Sequence, residues 1–245
     1  GAALTGVYDA AGTVVKFSTS KHMPSAILVA EETYTMKEVN PPKGFEAIEF
    51  KFEVEEEGKI IYQCLTAESK SGSTCKVSND AAKHNSTIEV KDMETSLTLN
   101  KVFDLASDVS IEGSGTTKDC AVFKVVGEFV RGKATAAQPF YLSNETTTLW
   151  TGLPAGQAID KFSDMNGQWI AGKTYTFTEV YAPDGYYLDP KAIKVTFDLY
   201  GNLTVDKTTL ASASADDIKV LNNPIILKVV KTGSNGDKLK DIQFS

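Results

Sequence analysis

The sequence predicts an all-β protein built of tandem β-sandwiches in an elongated arrangement. Three observations lead there. Helical periodicity is nearly absent from the 245 residues, while period-2 alternation runs through them. Short apolar runs rich in Val, Thr and aromatic residues are separated by Gly, Asn and Asp turns, as the strands of a sandwich are. One phrase also occurs twice: Thr33–Phe45 reads TYTMKEVNPPKGF, and Thr174–Tyr186 reads TYTFTEVYAPDGY.

The strands follow in order. Ile48, Phe50, Phe52 and Val54 share one face, with Glu49, Lys51 and Glu53 on the other. Ile193, Val195, Phe197 and Leu199 repeat that pattern. A helical turn is expected around Ala155–Phe162, ahead of the second phrase. A second pair of phrases also repeats, IEVKD at Ile88–Asp92 and IKVLN at Ile218–Asn222. Nine residues further on, each is followed by a lysine, Lys101 and Lys231. Two phrases repeated in the same order mean an internal duplication. It divides the chain into residues 1–94, a sandwich lacking its first strand, residues 95–225, a complete sandwich, and residues 226–245, the first strands of a following one. The junctions contain no Gly/Ser linker and no charge run, which predicts a stiff rod.

Composition excludes several classes of function. A net charge of −7 argues against nucleic-acid and anionic-membrane partners. No stretch approaches the roughly 18–20 apolar residues of a membrane span. The start at Gly1 without Met is expected of a piece cut from a longer protein. Cys64 and Cys75 flank the segment ESKSGST, so they form either a hairpin disulfide or two free thiols. Cys120 sits in the strand-like run CAVFKV and reads as a small buried apolar residue. Two histidines, with no CxxC, HExxH or EF-hand loop, leave no metal site and no cofactor expected.

Alternation also places polar residues on apolar faces. Leu97, Leu99 and Lys101 share a face; so do Ile218, Val220 and Asn222, and Tyr175, Phe177 and Glu179. The same holds for Ile88–Val90–Asp92, Tyr34–Met36–Glu38 and Leu227–Val229–Lys231. Strand ends tolerate one such residue by snorkelling, but matched spacing favours a shared role. Burial lowers the pKa of an amine and raises that of a carboxyl. A neutral Lys101 is then a nucleophile toward the side-chain carbonyl of Asn222. A protonated Glu179 hydrogen-bonds that carbonyl and passes a proton to the leaving group. Ammonia departs and an isopeptide bond remains; with Asp92 as acceptor, water departs instead. Such a reaction occurs once per chain. A turnover enzyme is not expected, since no nucleophile–histidine pair, phosphate loop or metal cluster is visible.

The run YTFTEVYAPDGYY, the strand LTLNK before it and the strand IKVLNNP after it resemble the Cna B-type (SpaA-like) domains of Gram-positive surface adhesins and pilins. The resemblance implies an Ig-like or prealbumin-like sandwich on the cell surface, in a cell-wall-anchored parent beside adjacent domains of the same protein. It further implies a Lys101–Asn222 cross-link with Glu179 catalytic. In the first unit Glu38 and Asp92 match, but no lysine strand precedes them, and Lys16 lies beyond the expected position. Asp92 replaces the commoner Asn, and no LPxTG signal or pilin lysine motif is present. Lys231 of a neighbouring molecule, carried on residues 226–245, is expected to face Asp92 and Glu38 in a head-to-tail strand exchange. Two other functions remain open. One is an adhesin head that binds a host protein or glycan through the insert Phe140–Trp169, with Trp150 and Trp169 either in contact with ligand or in the core. The other is a transthyretin-like accessory domain of an enzyme.

Overall fold

The computed structural model describes residues 7–8, 15–16, 31–55, 59–64, 74–80, 85–103, 121–144, 150–182, 185–206, 211–214, 217–227 and 229–238. At 7–8, 15–16, 62–64, 74–75, 85, 101–103 and 211–214 it describes the backbone alone. The N-terminal part holds β1 (Val7–Tyr8), β2 (Val15–Lys16), β3 (Thr33–Lys37), β4 (Glu49–Val54), β5 (Ile60–Cys64), β6 (Thr74–Asp80) and β7 (Asn85–Lys91). The C-terminal part begins with β8 (Thr98–Phe103), β9 (Val122–Phe129), β10 (Gly132–Ala134), β11 (Phe140–Ser143) and β12 (Ile159–Lys161). It continues with β13 (Thr174–Tyr181), β14 (Ile193–Phe197), β15 (Leu203–Val205), β16 (Ala211–Ser214) and β17 (Asp217–Asn222). The protein is all-β, as its alternation predicts.

The C-terminal part is two sheets face to face. One runs β12-β11-β9-β13-β14-β15, with β10 hooked onto β9; the other runs β16-β17-β8. Inward residues of both sheets meet in one core. Leu97, Leu99, Ile218 and Val220 come from one side, and Phe123, Val125, Phe177, Val195 and Phe197 from the other. The pairing of β8 with β17 is parallel, from Asp217↔Thr98 to Asn222↔Phe103. In the N-terminal part, β3-β4-β5 form one sheet and β6-β7 a ribbon. Ile48, just ahead of β4, and Phe50, Phe52 and Val54 of β4 form its core, packed with Tyr34, Met36, Ile88 and Val90.

Two expectations need correction, and one left open is decided. The helical turn is a 3-10 turn at Phe162–Met165, later than Ala155–Phe162, and it buries Phe162 and Met165. Leu199 does not continue the β14 stripe, being 41% exposed. Asp198 causes this: its Oδ1 accepts from Tyr200 N and Asn202 N, each at 2.8 Å, and turns the chain after Phe197. Of the two readings left open for Trp169, the structure shows the core. It is fully buried against Phe129, Tyr175, Phe177 and Phe197. Trp169→Ala is expected to cost about 3–5 kcal/mol of stability in a denaturant melt. Trp150 is half-buried and packs on Tyr141 with ring centroids 5.4 Å apart.

Candidate functional site

The duplicated phrases fold into the same corner twice, bond for bond. In the first copy, Thr95 N donates to Gly44 O (2.9 Å) and Glu46 N to Met93 O (2.9 Å). In the second, Ile225 N donates to Gly185 O (2.7 Å) and Tyr187 N to Asn223 O (2.9 Å). Isolated bridges join Phe45 to Glu94 and Tyr186 to Pro224. Ile48 N donates to Glu38 Oε2, and Asp189 N to Glu179 Oε2, both at 3.3 Å. The turn after each glutamate thus folds back on the strand end that carries Asp92 or Asn222, and each carboxylate is held by the backbone ten residues on.

In the second copy the pair closes. Tyr175, Phe177 and Glu179 point inward from β13, and Ile218, Val220 and Asn222 from β17, as alternation requires. Glu179 is 3% exposed and Asn222 2%. Asn222 Nδ2 donates to Glu179 Oε1 at 3.0 Å. A register shift follows at once: Glu179 pairs with Phe123, and Tyr181 with Val122. Such a bulge ends regular pairing and frees the chain to enter the turn. The sequence reading put Glu179 on the Asn222 carbonyl; the structure puts Oε1 on the amide nitrogen, the atom that would depart.

Lys101 lies on β8, its Cα paired with Val220 on β17. It follows Leu99 by two residues, and Leu99 is buried opposite Ile218. The ladder therefore brings position 101 to the strand beside Asn222, two residues short of it. Its side chain lies outside the described residues. So do the side chains of Cys64 and Cys75, hence their pairing, and the whole of Cys120.

In the first copy Asp92 lies near enough to Glu38 for its charge to be felt there. Burial holds the Glu38 carboxyl above the usual carboxylate range, and the nearby negative charge of Asp92 pushes it further up. Burial also raises Asp92. The folded state then binds protons more tightly than the unfolded chain. The resulting stabilisation is complete below the ordinary carboxylate range and is lost as pH rises through the raised values. The N-terminal part is expected to melt lower as pH climbs from about 4 toward neutrality, and Asp92→Asn to flatten that slope and raise stability at neutral pH. A pH series of thermal melts checks both. Lys16 falls on β2, which pairs with β1, and its side chain lies outside the described residues. Lys231 is exposed, as are Leu227 and Val229 beside it.

Sequence reasoning missed the joint where the first corner sits on the C-terminal part. Ala47 N donates to Leu199 O (2.8 Å), and Gly167 N to Thr95 O (2.9 Å). Thr95 Oγ1 lies within reach of Gly44 O (3.0 Å) and Trp169 O. Tyr200 Oη donates to Glu49 Oε2 at 3.0 Å, and Glu49 pairs with Lys37. Gly44, at φ +90°, lies so close to Gly167 that a Cβ would overlap the Gly167 carbonyl oxygen. The repeated Pro–x–Gly–aromatic turn was the only sequence signal for this contact.

No family model and no curated protein matches the chain. Among solved structures it is similar to a C-terminal fragment of the pilus adhesin SpaC from Lactobacillus rhamnosus GG. Identity is 15% over 89% of this chain and 82% of that one, at a TM-score of 0.32. SpaC in its open conformation aligns at 18% identity over 82% of this chain and 26% of that one, at a TM-score of 0.31. Likeness this low assigns no function. Among the described residues, no three His, Cys, Asp or Glu side chains are grouped to hold a metal ion.

Proposed function

We propose that this chain is a stalk or shaft region of a bacterial cell-surface adhesin or pilin, made of units 1–94, 95–225 and 226–245, and that Lys101 and Asn222 form an isopeptide bond within it. The observation that carries the reading is the buried Glu179–Asn222 contact at 3.0 Å, on the strand beside Lys101. A carboxyl and a carboxamide removed from water, with an amine one strand away, are the reactants of amide exchange. Lys101 Nζ attacks Cγ of Asn222 and a C–N bond forms. Glu179 takes the proton released by the amine and hands it to Nδ2, on which its Oε1 already rests. The Cγ–Nδ2 bond breaks and ammonia leaves.

Intact mass spectrometry tests this. The mass is expected to fall short of the sequence mass by one ammonia, and a tryptic digest to yield one branched peptide joining Lys101 to Asn222. Lys191 also lines the cleft beside Glu179 and Asn222, so it serves as the control amine. A full sequence mass, with the two peptides recovered separately, rejects the bond. A branch at Lys191 rejects the assignment of the nucleophile.

A further inference from the structure

The two corners share their hydrogen bonds but not their surroundings. Ala47 is buried beneath the C-terminal part, whereas its counterpart Leu188 is 46% exposed. Gly44 and Gly185 have nearly the same φ, +90° and +86°. Over Gly44 lies the Gly167 carbonyl; over Gly185 nothing lies within 4 Å of where a Cβ would be. The exposed apolar residues continue along the chain, from Tyr187 and Leu188 to Ile225, Ile226, Leu227, Val229 and Val230. Leu227, 86% exposed, and Val229 occupy the positions that Leu97 and Leu99 hold in the first copy, and those two are core. A run of exposed apolar residues of this kind marks a contact surface.

We infer that the second corner is the seat of a third sandwich module that begins with residues 225–238. The occupant follows from the first corner, where the chain leaving Asp92 enters the next sandwich and that sandwich covers the turn it came from. Applied one repeat later, the same construction puts Leu227 and Val229 into the core of the third module. It brings a backbone carbonyl of that module to the Leu188 amide, as Leu199 O meets Ala47 N. It fills the space over Gly185 with the counterpart of Gly167. This rests on the division into units 95–225 and 226–245 proposed above but not on the Lys101–Asn222 bond, so an unlinked mass leaves the seating standing and equal exchange rates leave the bond standing.

Amide hydrogen exchange on the parent protein and on this 245-residue chain tests the inference. The Leu188 and Ile226 amides are expected to exchange about tenfold or more slowly in the parent than in the shorter chain. Leu188→Asp is expected to abolish that difference while leaving the melting temperature of the 245-residue chain unchanged. Equal exchange rates in the two proteins would overturn the inference. So would protection that rises with the concentration of the 245-residue chain, or SDS-resistant multimers linked through Lys231, since either gives the corner and tail to a second copy.

Discussion

Lys101→Arg is expected to lower the melting temperature of residues 95–225 by about 10–20 °C and to leave the chain at its full sequence mass. The bond closes a loop of about 120 residues, and by analogy with disulfides that restricts the unfolded chain by roughly 4–5 kcal/mol. Arginine keeps the length and the charge but stays protonated, so it cannot attack. Glu179→Gln keeps a hydrogen-bonding side chain beside Asn222 yet cannot carry the proton. Each variant should therefore keep its own full sequence mass, with no ammonia lost, and show a similar loss of stability. Agreement between them separates loss of the bond from local damage at either site. A Lys101→Arg protein that melts like the parent chain would mean that no bond was there to lose.

Gly44→Ala is expected to loosen the joint between the two parts, and Gly185→Ala to leave it intact. Both positions have positive φ, so alanine costs about 1–2 kcal/mol of backbone strain at either. Only at Gly44 does the added methyl overlap a backbone atom of the facing part. Neither side can yield by rotating a side chain, so the surfaces must separate. Ala47 N would then lose Leu199 O, and Glu49 would lose Tyr200. Calorimetry reads the outcome as melting of the two parts at more widely separated temperatures in Gly44→Ala than in Gly185→Ala. The same separation in both variants would show that strain alone is responsible.

Side-chain direction was legible in the sequence because a strand has only two faces. Once Tyr175 and Phe177 are placed inward, Glu179 must follow, and Asn222 follows from Ile218 and Val220. The pairing of the two was legible only because the phrase repeats, which ties each glutamate to one strand end. The joint was not legible. Its contacts join residues far apart in sequence, Ala47 with Leu199 and Thr95 with Trp169, and several use backbone atoms that carry no sequence signal. Leu199 was misread for a related reason. It has the parity of the β14 stripe, but Asp198 binds the following amides and the strand ends at Phe197. Trp169 was left open because an aromatic residue in an insert reads equally as core or as surface; only its neighbours decide.

The parallel pairing of β8 with β17 has a mechanical meaning. The chain enters this ladder at Thr98 and leaves it at Asn222, at opposite ends of six paired positions. Pulling on the two ends slides the strands past each other, so the ladder's hydrogen bonds are strained together rather than unzipped in turn. Leu99 and Ile218, packed into the core, resist the same displacement. A covalent tie from Lys101 to Asn222 would run along the pulling direction and shield the intervening chain from tension. Tension applied to the two ends would then meet a strand pair and one amide bond, while β9 to β16 remain folded and slack.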